Sequence, residues 1–451
     1  MTYNIAEKIA EYVKEAGGRT FYVGGFVRDR IMGIDSGDVD IEVHGIEPDT
    51  LFEILGKVGD PLSFGKSFGV YSLRGENIDI AMPRTEHAVG SGHRDFEINV
   101  DPHIGTYGAA KRRDFTINSL MEDVLTGEII DHFGGLEDIE KGIIRHINAE
   151  SFVEDPLRVL RGAQFTARFG FVIAESTIEL CRNIDLSALS KERVEEELKK
   201  ALLKAEKPSV FFGSLRAMNQ LDTWFPELKQ LIGLEQDPVF HPEGDVWIHT
   251  MEVVDRAAKF REEVSDPYGF MLLALTHDLG KIVTTEEIKG RIHAYEHEKL
   301  GMPLVEIFMK RITSEKAVME YVSNMVPLHM RPNVAAYSKP SLKSTNRMFD
   351  AAIAPKDLIY FAESDKPVFS GSDAFTGDSA FLFERLKAYE ETMSKPYVMG
   401  RDLLEAGLEP GEDFGEILEH AHKLRLAGIE KESALKQTLS YARKLRKEKK
   451  D

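Results

Sequence analysis

The sequence predicts a multidomain α+β protein in which a mixed α/β part comes first and helical domains follow. Its 451 residues exceed what one hydrophobic core usually organises, so two to four domains are expected. Short runs with strand-like alternation occupy residues 20–135, whereas helical periodicity dominates from about residue 136 onwards. Together these observations favour a head that contains a mixed sheet, followed by a mainly α-helical remainder.

The predicted elements follow from local patterns. Short strands are expected at 21–23, 38–43, 70–73 and 78–82. Helices are expected at 26–32, 155–169, 191–205 and 208–218. The segment 85–103 is rich in Gly and His and lacks a clear period, which predicts a mobile loop. Two further segments, 233–244 and 365–373, are predicted to separate domains.

The composition is that of a globular protein without a membrane span. Hydrophobic residues make up 42% of the chain and charged residues 29%. Residues 1–18 form a charged amphipathic pattern without the apolar core of a signal peptide, and no run of about 18 apolar residues occurs. The one cysteine, Cys181, excludes an internal disulfide and fits a reducing compartment. We therefore expect a cytoplasmic protein with no membrane contact, and no obligate protein partner is evident.

The formal charge of −19 argues against a generic nucleic-acid binder, because such proteins usually carry a basic stripe that displaces counterions from phosphate. Two local basic patches are nevertheless present. One is Lys111-Arg112-Arg113, and the other is 443–450, which begins with Arg443 and Lys444. The second patch is either a solvated helix end or a contact for RNA, and composition leaves both interpretations open.

Two features of the head indicate polyphosphate chemistry. Gly24-Gly25 lies between a predicted strand and a predicted helix, where backbone N–H groups can approach an anion; a tight turn is the alternative. In the next strand, alternation places Asp38, Asp40 and Glu42 on one face. Such closely spaced carboxylates suit hard cations and a two-metal transfer reaction, whereas a solvated strand face is the alternative.

These residues belong to a longer series of motifs. The segment 23–29, with Gly33 and 38–40, resembles the first motif of class II tRNA nucleotidyltransferases and bacterial poly(A) polymerases, members of the DNA polymerase β-like superfamily. The segments 112–118, 154–161 and 191–199 resemble the next motifs of that family, in the family's order. The resemblance implies a polymerase β-like nucleotidyltransferase head followed by an all-α neck.

The resemblance also implies roles for particular residues. Asp38 and Asp40 would be catalytic and would hold Mg²⁺, with Asp79 as a candidate third carboxylate. Lys111 is a candidate RNA contact because of its basic patch, independently of the resemblance. Gln164 stands where the family usually has an arginine, which puts any contact from that position in question. The nucleotide would be contacted by Gly24, Gly25, Arg28, Arg113, Asp114, Asn118, Asp155, Arg158 and Arg161.

Asp155 and Arg158 lie three residues apart on a predicted helix and so share a face. An aspartate accepts hydrogen bonds and an arginine donates them, which matches the amino donor and ring-nitrogen acceptor of cytosine and of adenine. Guanine and uracil present the reverse order and would leave polar groups unpaired. The pair would therefore select CTP and ATP; a surface ion pair is the alternative. The family's flexible loop between its first two motifs has a counterpart at 84–96, which favours full CCA addition over CC addition alone.

A second group of residues resembles the metal site of the HD phosphohydrolase superfamily, over about 235–365. Imidazoles and carboxylates together suit a divalent transition metal or Mg²⁺. His293 lies nearby and is expected to be a plain surface histidine. The predicted ligands are His249, His277, Asp278, His297, His329 and Asp365.

The combined pattern predicts a CCA-adding enzyme of this family with a fused HD domain. The expected domains are a head (1–145), a neck (146–232), an HD domain (233–368) and a helical tail (369–451) whose segment 399–411 resembles the family's tRNA-binding tail motif. The expected substrates are tRNA, CTP and ATP. The alternatives are a poly(A) polymerase, an HD phosphohydrolase acting on RNA ends or nucleotides, and a tRNA-binding protein with idle carboxylates.

Overall fold

The computed structural model describes residues 2–35, 37–63, 69–88, 96–366 and 379–448. The chain forms two compact units, Met1–Trp224 and Phe225–Asp451. The first combines a mixed sheet with helices, and the second is mainly helical, which confirms the predicted multidomain α+β class. The finer division into four domains stays a prediction, and its boundary at 368/369 lies outside the described residues.

The first unit contains most of the strands. Its strands are β1 (Arg19–Val23), β2 (Val39–His44), β3 (Pro61–Ser63), β4 (Val70–Leu73), β5 (Ile78–Ala81), β6 (Arg84–Ala88), β7 (Phe96–Val100), β8 (Met121–Asp123), β9 (Ile129–Ile130), β10 (Ile143–Ile144) and β11 (Val172–Ile173). Its helices are α1 (Thr2–Glu15), α2 (Gly25–Ile31), α3 (Pro48–Val58), α4 (Gly105–Lys111), α5 (Gly135–Lys141), α6 (Ala149–Phe152), α7 (Leu157–Phe169), α8 (Glu175–Cys181), α9 (Lys191–Lys204) and α10 (Ser209–Ala217).

The head is organised around a mixed sheet. Among the described residues the sheet has seven strands in the order β3-β4-β5-β2-β1-β8-β9. Strand β2 pairs antiparallel with β1 and parallel with β5. Val39, Ile41 and Val43 of β2 are buried in a core shared with residues of α1, α2 and α3. Because side chains alternate along a strand, burial of these three turns Asp40 to the opposite face, as the sequence predicts.

Two predictions about the first unit are wrong. Segment 85–103 is not simply a loop, because β6 and β7 in it pair as an antiparallel hairpin; residues 89–95 lie outside the described residues. The helix predicted from residue 155 begins at Leu157 instead, so Asp155 precedes it. Pro156 explains the difference, since a residue before proline is driven towards extended backbone. Helix α7 packs against α9 and α10.

The second unit is built from helices and one hairpin. The hairpin joins β12 (Thr285–Ile288) to β13 (Arg291–Ala294). The helices are α11 (Pro226–Gln230), α12 (Val246–Ala257), α13 (Pro267–Thr276), α14 (Lys281–Thr284), α15 (His297–Leu300), α16 (Met302–Ile312), α17 (Lys316–Met325), α18 (Met330–Ser338), α19 (Leu342–Ala351), α20 (Pro355–Ser364), α21 (Ser379–Ser394), α22 (Gly400–Glu405), α23 (Phe414–Leu426) and α24 (Lys431–Glu448).

Helix α13 is the central helix of the second unit. Every residue from Tyr268 to Thr276 is buried, which is the pattern of a helix surrounded by others. Helices α12, α17 and α20 pack against it. The HD dipeptide, His277-Asp278, follows its last turn directly and is therefore anchored by the core. Within the described residues no helix combines the length and the apolar character that crossing a bilayer requires.

Candidate active site

A cleft of about 980 Å³ in the first unit collects the predicted head residues. Asp38, Asp40 and Asp79 lie on its strand side. The register of β2 with β5 sets Asp40 directly opposite Asp79, and the side-chain amide of Asn77 donates to Asp38 Oδ1 at 2.6 Å. The sheet thus presents three carboxylates in one place. The other predicted residues that line the cleft are Gly24, Gly25, Arg28, Arg113, Asp114, Asn118, Asp155, Arg158 and Arg161.

The electrostatics at Asp40 indicate a site built for a cation. Burial, and next the negative charge of Asp79, raise the pKa of Asp40 to about 6, although the charge of Arg113 opposes the shift. A divalent cation among these carboxylates would offset that repulsion. The carboxylate oxygens are the hard ligands that Mg²⁺ prefers, so the donor set fits such an ion.

The glycine turn leaves space for an arginine. Gly24 has φ +64°, and a Cβ added to it would meet Arg113 Nη1 at 2.8 Å. Arg113 Nη2 in turn donates to Glu42 Oε2 at 3.2 Å. Burial opposes ionisation of Glu42, but the hydrogen bond from His44 and the charge of Arg113 hold its pKa below the usual value. Glu42 thus holds Arg113 in place. The alternative offered by the sequence, a solvated strand face, is wrong for Glu42.

A chain of hydrogen bonds links the turn to helix α7. Arg28 Nη1 donates to Asn118 Oδ1 at 2.6 Å, and Asn118 Nδ2 donates to Asp114 Oδ1 at 2.9 Å. Arg161 Nε on α7 donates to the other oxygen of Asp114 at 2.7 Å. Asp114 is buried, which opposes ionisation, yet the charge of Arg161 holds its pKa below the usual value. This chain fixes two predicted nucleotide-binding arginines, Arg28 and Arg161.

Asp155 and Arg158 both line the cleft but do not pair with each other. Arg193 Nη2 on α9 donates to Asp155 Oδ1 and Oδ2 at 3.1 and 2.9 Å. Arg158 donates to the backbone carbonyls of Ser151 and Arg112, at 2.8 Å each. The alternative of a surface ion pair between Asp155 and Arg158 is therefore wrong. Arg193 was part of a recognised motif, but only the fold reveals that it holds Asp155.

Four further residues line the cleft, and of these the sequence singled out Gln164 alone, as a departure from the family pattern. Gln164, Phe165 and Arg168 line the cleft from α7, and Lys200 lines it from α9; Gln164 and Phe165 are buried. For Phe165 and Arg168 the one sequence signal is their helical spacing from Arg161.

The second unit brings together all six predicted HD residues. His249, His277 and Asp365 form one group of possible metal ligands, and Asp278, His297 and His329 form another. The groups adjoin, since His277 Nε2 lies 3.2 Å and His249 Nε2 lies 3.6 Å from Asp278 Oδ2. All ligand atoms within each group lie within 4.8 Å of one another.

Backbone carbonyls orient three histidines of this HD cluster through their Nδ1 atoms. The Nδ1 atoms of His277, His297 and His329 lie 3.0, 2.9 and 2.7 Å from the carbonyls of Ala274, Ala294 and Val326. Nδ1–H donation of this kind leaves each Nε2 as a lone pair that faces the other ligands, which is the usual arrangement of metal-bound histidine. His277 Nε2 is buried and has no hydrogen-bond partner of good geometry among the described residues. The donor set therefore fits divalent metal ions.

The surroundings of the HD cluster correct two expectations. The segment 233–244 is not a mere linker, because its Glu243 accepts from His249 Nδ1 at 2.8 Å. His293 is half-buried, stacks on Tyr295 and lines a cavity of about 480 Å³ that opens at the cluster. Nothing in residue spacing distinguishes Glu243 in the sequence, since its position depends on how the chain folds back onto α12.

The predicted RNA contacts lie on the surface of their units. Lys111 ends α4 and is exposed. Arg443 and Lys444 are exposed on α24, and Lys444 Nζ lies 3.7 Å from Glu448 Oε1. The last residues of the basic tail, 449–451, lie outside the described residues. A role in RNA binding stays a prediction for all three side chains.

The comparisons with known proteins cover the regions that contain both candidate sites. Residues 20–145 match the Poly A polymerase head domain family, and residues 246–366 match the HD domain family. The multifunctional CCA protein of Stenotrophomonas maltophilia strain K279a is 42% identical over 301 residues, 65% of this chain and 71% of that protein. That of Nitrosospira multiformis is 36% identical over 362 residues, 79% of this chain and 84% of that protein. The chain belongs to the multifunctional CCA protein family.

Solved structures that share the fold of this chain align with nearly its whole length. A CCA-adding enzyme in complex with ATP aligns with a TM-score of 0.67 at 21% identity and covers 98% of this chain and 94% of that one. The Thermotoga maritima CCA-adding enzyme complexed with tRNA aligns with a TM-score of 0.63 at 21% identity, over 97% and 95% of the chains. At such low identity the likeness concerns the fold alone.

Proposed function

We propose that this chain adds CMP and AMP to the 3′ end of tRNA, building and repairing the CCA terminus with release of pyrophosphate, in the cytoplasm. One observation carries the proposal: Asp38, Asp40 and Asp79 face the same cleft as Asp155 and Arg158, in a member of the multifunctional CCA family. Solved structures of the same fold are named for CCA-adding enzymes with ATP, with CTP and with tRNA.

Asp38 and Asp40, with Asp79 beside them, would hold Mg²⁺ in the head. When bound, the ions lower the pKa of the attacking 3′-hydroxyl and stabilise the departing pyrophosphate. Arg28 and Arg113 lie in the same cleft, fixed by Asn118 and Glu42, and would neutralise and orient the triphosphate. Positioning and neutralisation of charge supply most of the rate in reactions of this kind.

Asp155 and Arg158 would select the base without a nucleic-acid template. The carboxylate accepts from the exocyclic amine of cytosine or adenine, and the guanidinium donates to the neighbouring ring nitrogen. Guanine or uracil would leave buried polar groups unpaired, at a cost of about 1–3 kcal/mol for each group. Both side chains are already held in the cleft by protein partners, so little ordering is required when the nucleotide binds.

The test is nucleotide addition by purified protein to tRNAs that end before and within CCA, with each labelled NTP supplied separately. We expect CMP and AMP in the CCA order, and no addition by Asp38→Asn, because the amide removes a charged ligand. Asp35→Asn is the matched control, since Asp35 is exposed and lies outside the cleft lining. Long A tails on generic RNA without use of CTP would instead establish a poly(A) polymerase, and normal addition by Asp38→Asn would overturn the assigned site.

We also propose a phosphohydrolase activity at the HD cluster, acting on phosphate esters of RNA ends or nucleotides. The supporting observation is the preorganised pair of ligand groups, whose histidines point Nε2 at buried carboxylates. The cluster would hold divalent transition-metal ions or Mg²⁺, which activate water for attack on phosphorus. Release of phosphate from nucleotides, measured with Mn²⁺, Ni²⁺ or Mg²⁺ added after chelation, tests this activity, and no release with any of them would contradict it.

A further inference from the structure

The second unit contains a long stretch without an acidic residue. Asp and Glu make up 76 of the 451 residues, yet none lies between Glu320 and Asp350. The stretch carries four exposed cations, which together form the α18–α19 face: Arg331, Lys339, Lys343 and Arg347. In a chain with a formal charge of −19, such a segment is a local positive surface, which is what a polyanion requires.

The cations of the α18–α19 face are placed where they destabilise their own helices. In the part of the chain that the structure describes, no ion pair includes any of the four. Lys343 and Arg347 lie four residues apart on α19 and therefore repel each other. Arg331 and Lys343 lie in the first turns of α18 and α19, where the helix dipole disfavours a cation. A bound polyanion would offset both unfavourable effects.

Acidic residues near the face have partners of their own. Asp350, which follows the stretch directly, has its Oδ2 2.8 Å from His422 Nε2. Glu296 Oε1 accepts from Lys299 Nζ at 2.8 Å. That hydrogen bond raises the pKa of Lys299, whereas the charge of Arg331 opposes the rise, so the positive field of the face reaches α15. These carboxylates therefore do not balance the face.

Helix α18 connects the face to the HD cluster. The helix begins directly after the predicted ligand His329. Four of its residues line the cavity of about 480 Å³ that opens at the cluster: Met330, Asn333, Val334 and Tyr337. Arg331 lies three residues before Val334 and borders this lining, and Lys339 ends the helix about 13 Å from its start. The cations thus begin at the cavity and continue beyond it.

The cavity presents aromatic rings beside these cations. Tyr337 and Tyr295 are 69% and 60% exposed, and the ring of Tyr295 stacks on His293 with centroids 5.0 Å apart. Aromatic rings beside a positive surface are typical of binding to single-stranded nucleic acid, because bases stack on the rings while cations follow the phosphates. Lys343 and Arg347 lie outside the cavity lining, so a single nucleotide in the cavity would not use them.

We propose that the α18–α19 face binds a single-stranded end of RNA and directs its terminal phosphate into the HD cluster. The proposal rests on the phosphohydrolase activity proposed for that cluster, and it assigns RNA ends rather than free nucleotides as the preferred substrates. The terminal nucleotide occupies the cavity, and the phosphates of the adjoining nucleotides lie along the four cations. Hydrolysis breaks the bond between phosphorus and the ribose oxygen; water supplies the hydroxyl that stays on phosphorus and the proton that the ribose oxygen takes.

The experiment compares phosphate release by the full chain, with Mn²⁺, Ni²⁺ or Mg²⁺, from two substrates. One is single-stranded RNA of about eight nucleotides with a 3′- or 5′-terminal phosphate, and the other is the matching mononucleotide. We expect kcat/KM at low salt to be about tenfold or more higher for the RNA. This preference should fall with salt, by about 0.7 in log–log slope for each phosphate contacted. In the double variant Lys343→Ala, Arg347→Ala, the RNA-to-nucleotide ratio of kcat/KM should fall towards one, with a correspondingly shallower slope.

The matched control is the double variant Lys259→Ala, Lys316→Ala. It removes two exposed cations of the same unit that lie outside both the stretch and the cavity lining. Its ratio and salt slope should equal those of the wild type, and the melting temperatures of both double variants should match, since all four side chains are exposed.

A wild-type ratio near one, or a ratio and slope that the α19 double variant leaves unchanged, would overturn the docking face and leave the phosphohydrolase intact. If neither substrate releases phosphate, the phosphohydrolase fails, and direct binding of the same RNA decides the face: a Kd that rises about tenfold in the α19 double variant supports it, and an equal Kd overturns it. Two other results would also overturn the proposal. One is a loss of CMP addition to tRNA with an unchanged ratio, and the other is dependence on these residues for binding anionic phospholipid vesicles but not RNA.

Discussion

Arg193 fixes the carboxylate of Asp155 from the neighbouring helix. Its Nη2 lies within hydrogen-bond distance of both carboxylate oxygens, and the two side chains are 32% and 30% exposed, so the pair borders the open cleft. A carboxylate held in this way presents its remaining lone pairs in a fixed direction. If Asp155 selects the base, Arg193 is the positioning residue on which that selection depends.

We therefore expect Arg193→Ala to reduce selectivity as well as rate. With the guanidinium removed, Asp155 can rotate, so kcat/KM for CTP and ATP should fall about tenfold or more and the preference over UTP and GTP should narrow. Arg193→Lys should recover part of the selectivity, because it restores the charge but not the forked geometry. Single-nucleotide addition with all four NTPs measures this. Lys199→Ala, on the same helix but outside the cleft lining, is the control, and unchanged selectivity in Arg193→Ala would contradict the positioning role.

At the scale of single residues, the sequence predicted which residues form the sites but not which side chains hold them in place. Asp38, Asp40 and the motif arginines were visible because few residue types hold cations and polyphosphates, and the family's spacing places them together. The partner of Asp155 was hidden because Arg193 lies on a different helix, α9. The three-residue spacing from Asp155 to Arg158 did not imply a shared helical face, because Pro156 keeps Asp155 out of α7. Gln164 was visible as a departure from the family pattern, but its unpaired Nε2 could be recognised only in three dimensions.

At the scale of elements, the HD cluster depends on two glycines. A Cβ added to Gly280 would lie 1.9 Å from the carbonyl oxygen of His297, and one added to Gly301 would lie 2.3 Å from the Cα of Gly280. This backbone contact lets α15 approach the HD dipeptide, so that His297 Nε2 comes within 3.2 Å of Asp278 Oδ1. The approach of His297 to Asp278, two members of one ligand group, thus depends on the absence of side chains at Gly280 and Gly301.

Gly280→Ala should consequently disturb the metal cluster. The added methyl must push α15 outward, and overpacking of this kind typically costs about 1–3 kcal/mol. We expect a lower melting temperature and weaker binding of Mn²⁺ to the HD cluster, measured by titration of the metal-free protein. Gly415→Ala serves as the control, because Gly415 lies within helix α23 with nothing within 4 Å of an added Cβ and should be neutral or stabilising. Equal Mn²⁺ affinity in both variants would show that the close approach is not required.

Elements with clear periodicity were predictable, and those defined by distant contacts were not. Strand β2 and helix α7 were foreseen to within two residues, because their apolar faces repeat with the expected period. The hairpin of β6 and β7 was missed although Phe96, Ile98 and Val100 alternate with polar residues in the sequence. Glycine and histidine around the turn obscured that short signal. Segment 233–244 resembled a linker because of its prolines, yet the fold places Glu243 against His249.

At the scale of the whole molecule, the two candidate metal sites lie in different compact units. Every residue that lines the nucleotide cleft belongs to Met1–Trp224, and all six residues of the HD cluster belong to Phe225–Asp451. Each set is preorganised by contacts within its own unit, such as Arg113 with Glu42 in the first and His297 with Ala294 in the second. Loss of one site therefore need not affect the other.

This arrangement predicts a double dissociation between the two activities. Asp365→Asn, which removes the charge of one HD ligand with little change in shape, should abolish metal-dependent phosphate release. It should leave CMP and AMP addition within about twofold, because each site is held by contacts within its own unit and independent sites act additively. Asp40→Asn should abolish addition and leave phosphate release intact. Chelation should abolish both activities, and Mg²⁺ should restore addition. Both assays on the same preparations, with melting temperatures to confirm folding, decide the matter. Loss of CCA addition in a folded Asp365→Asn variant would show that the two sites are coupled, whereas phosphate release that disappears with Asp40→Asn would assign the hydrolysis to the head.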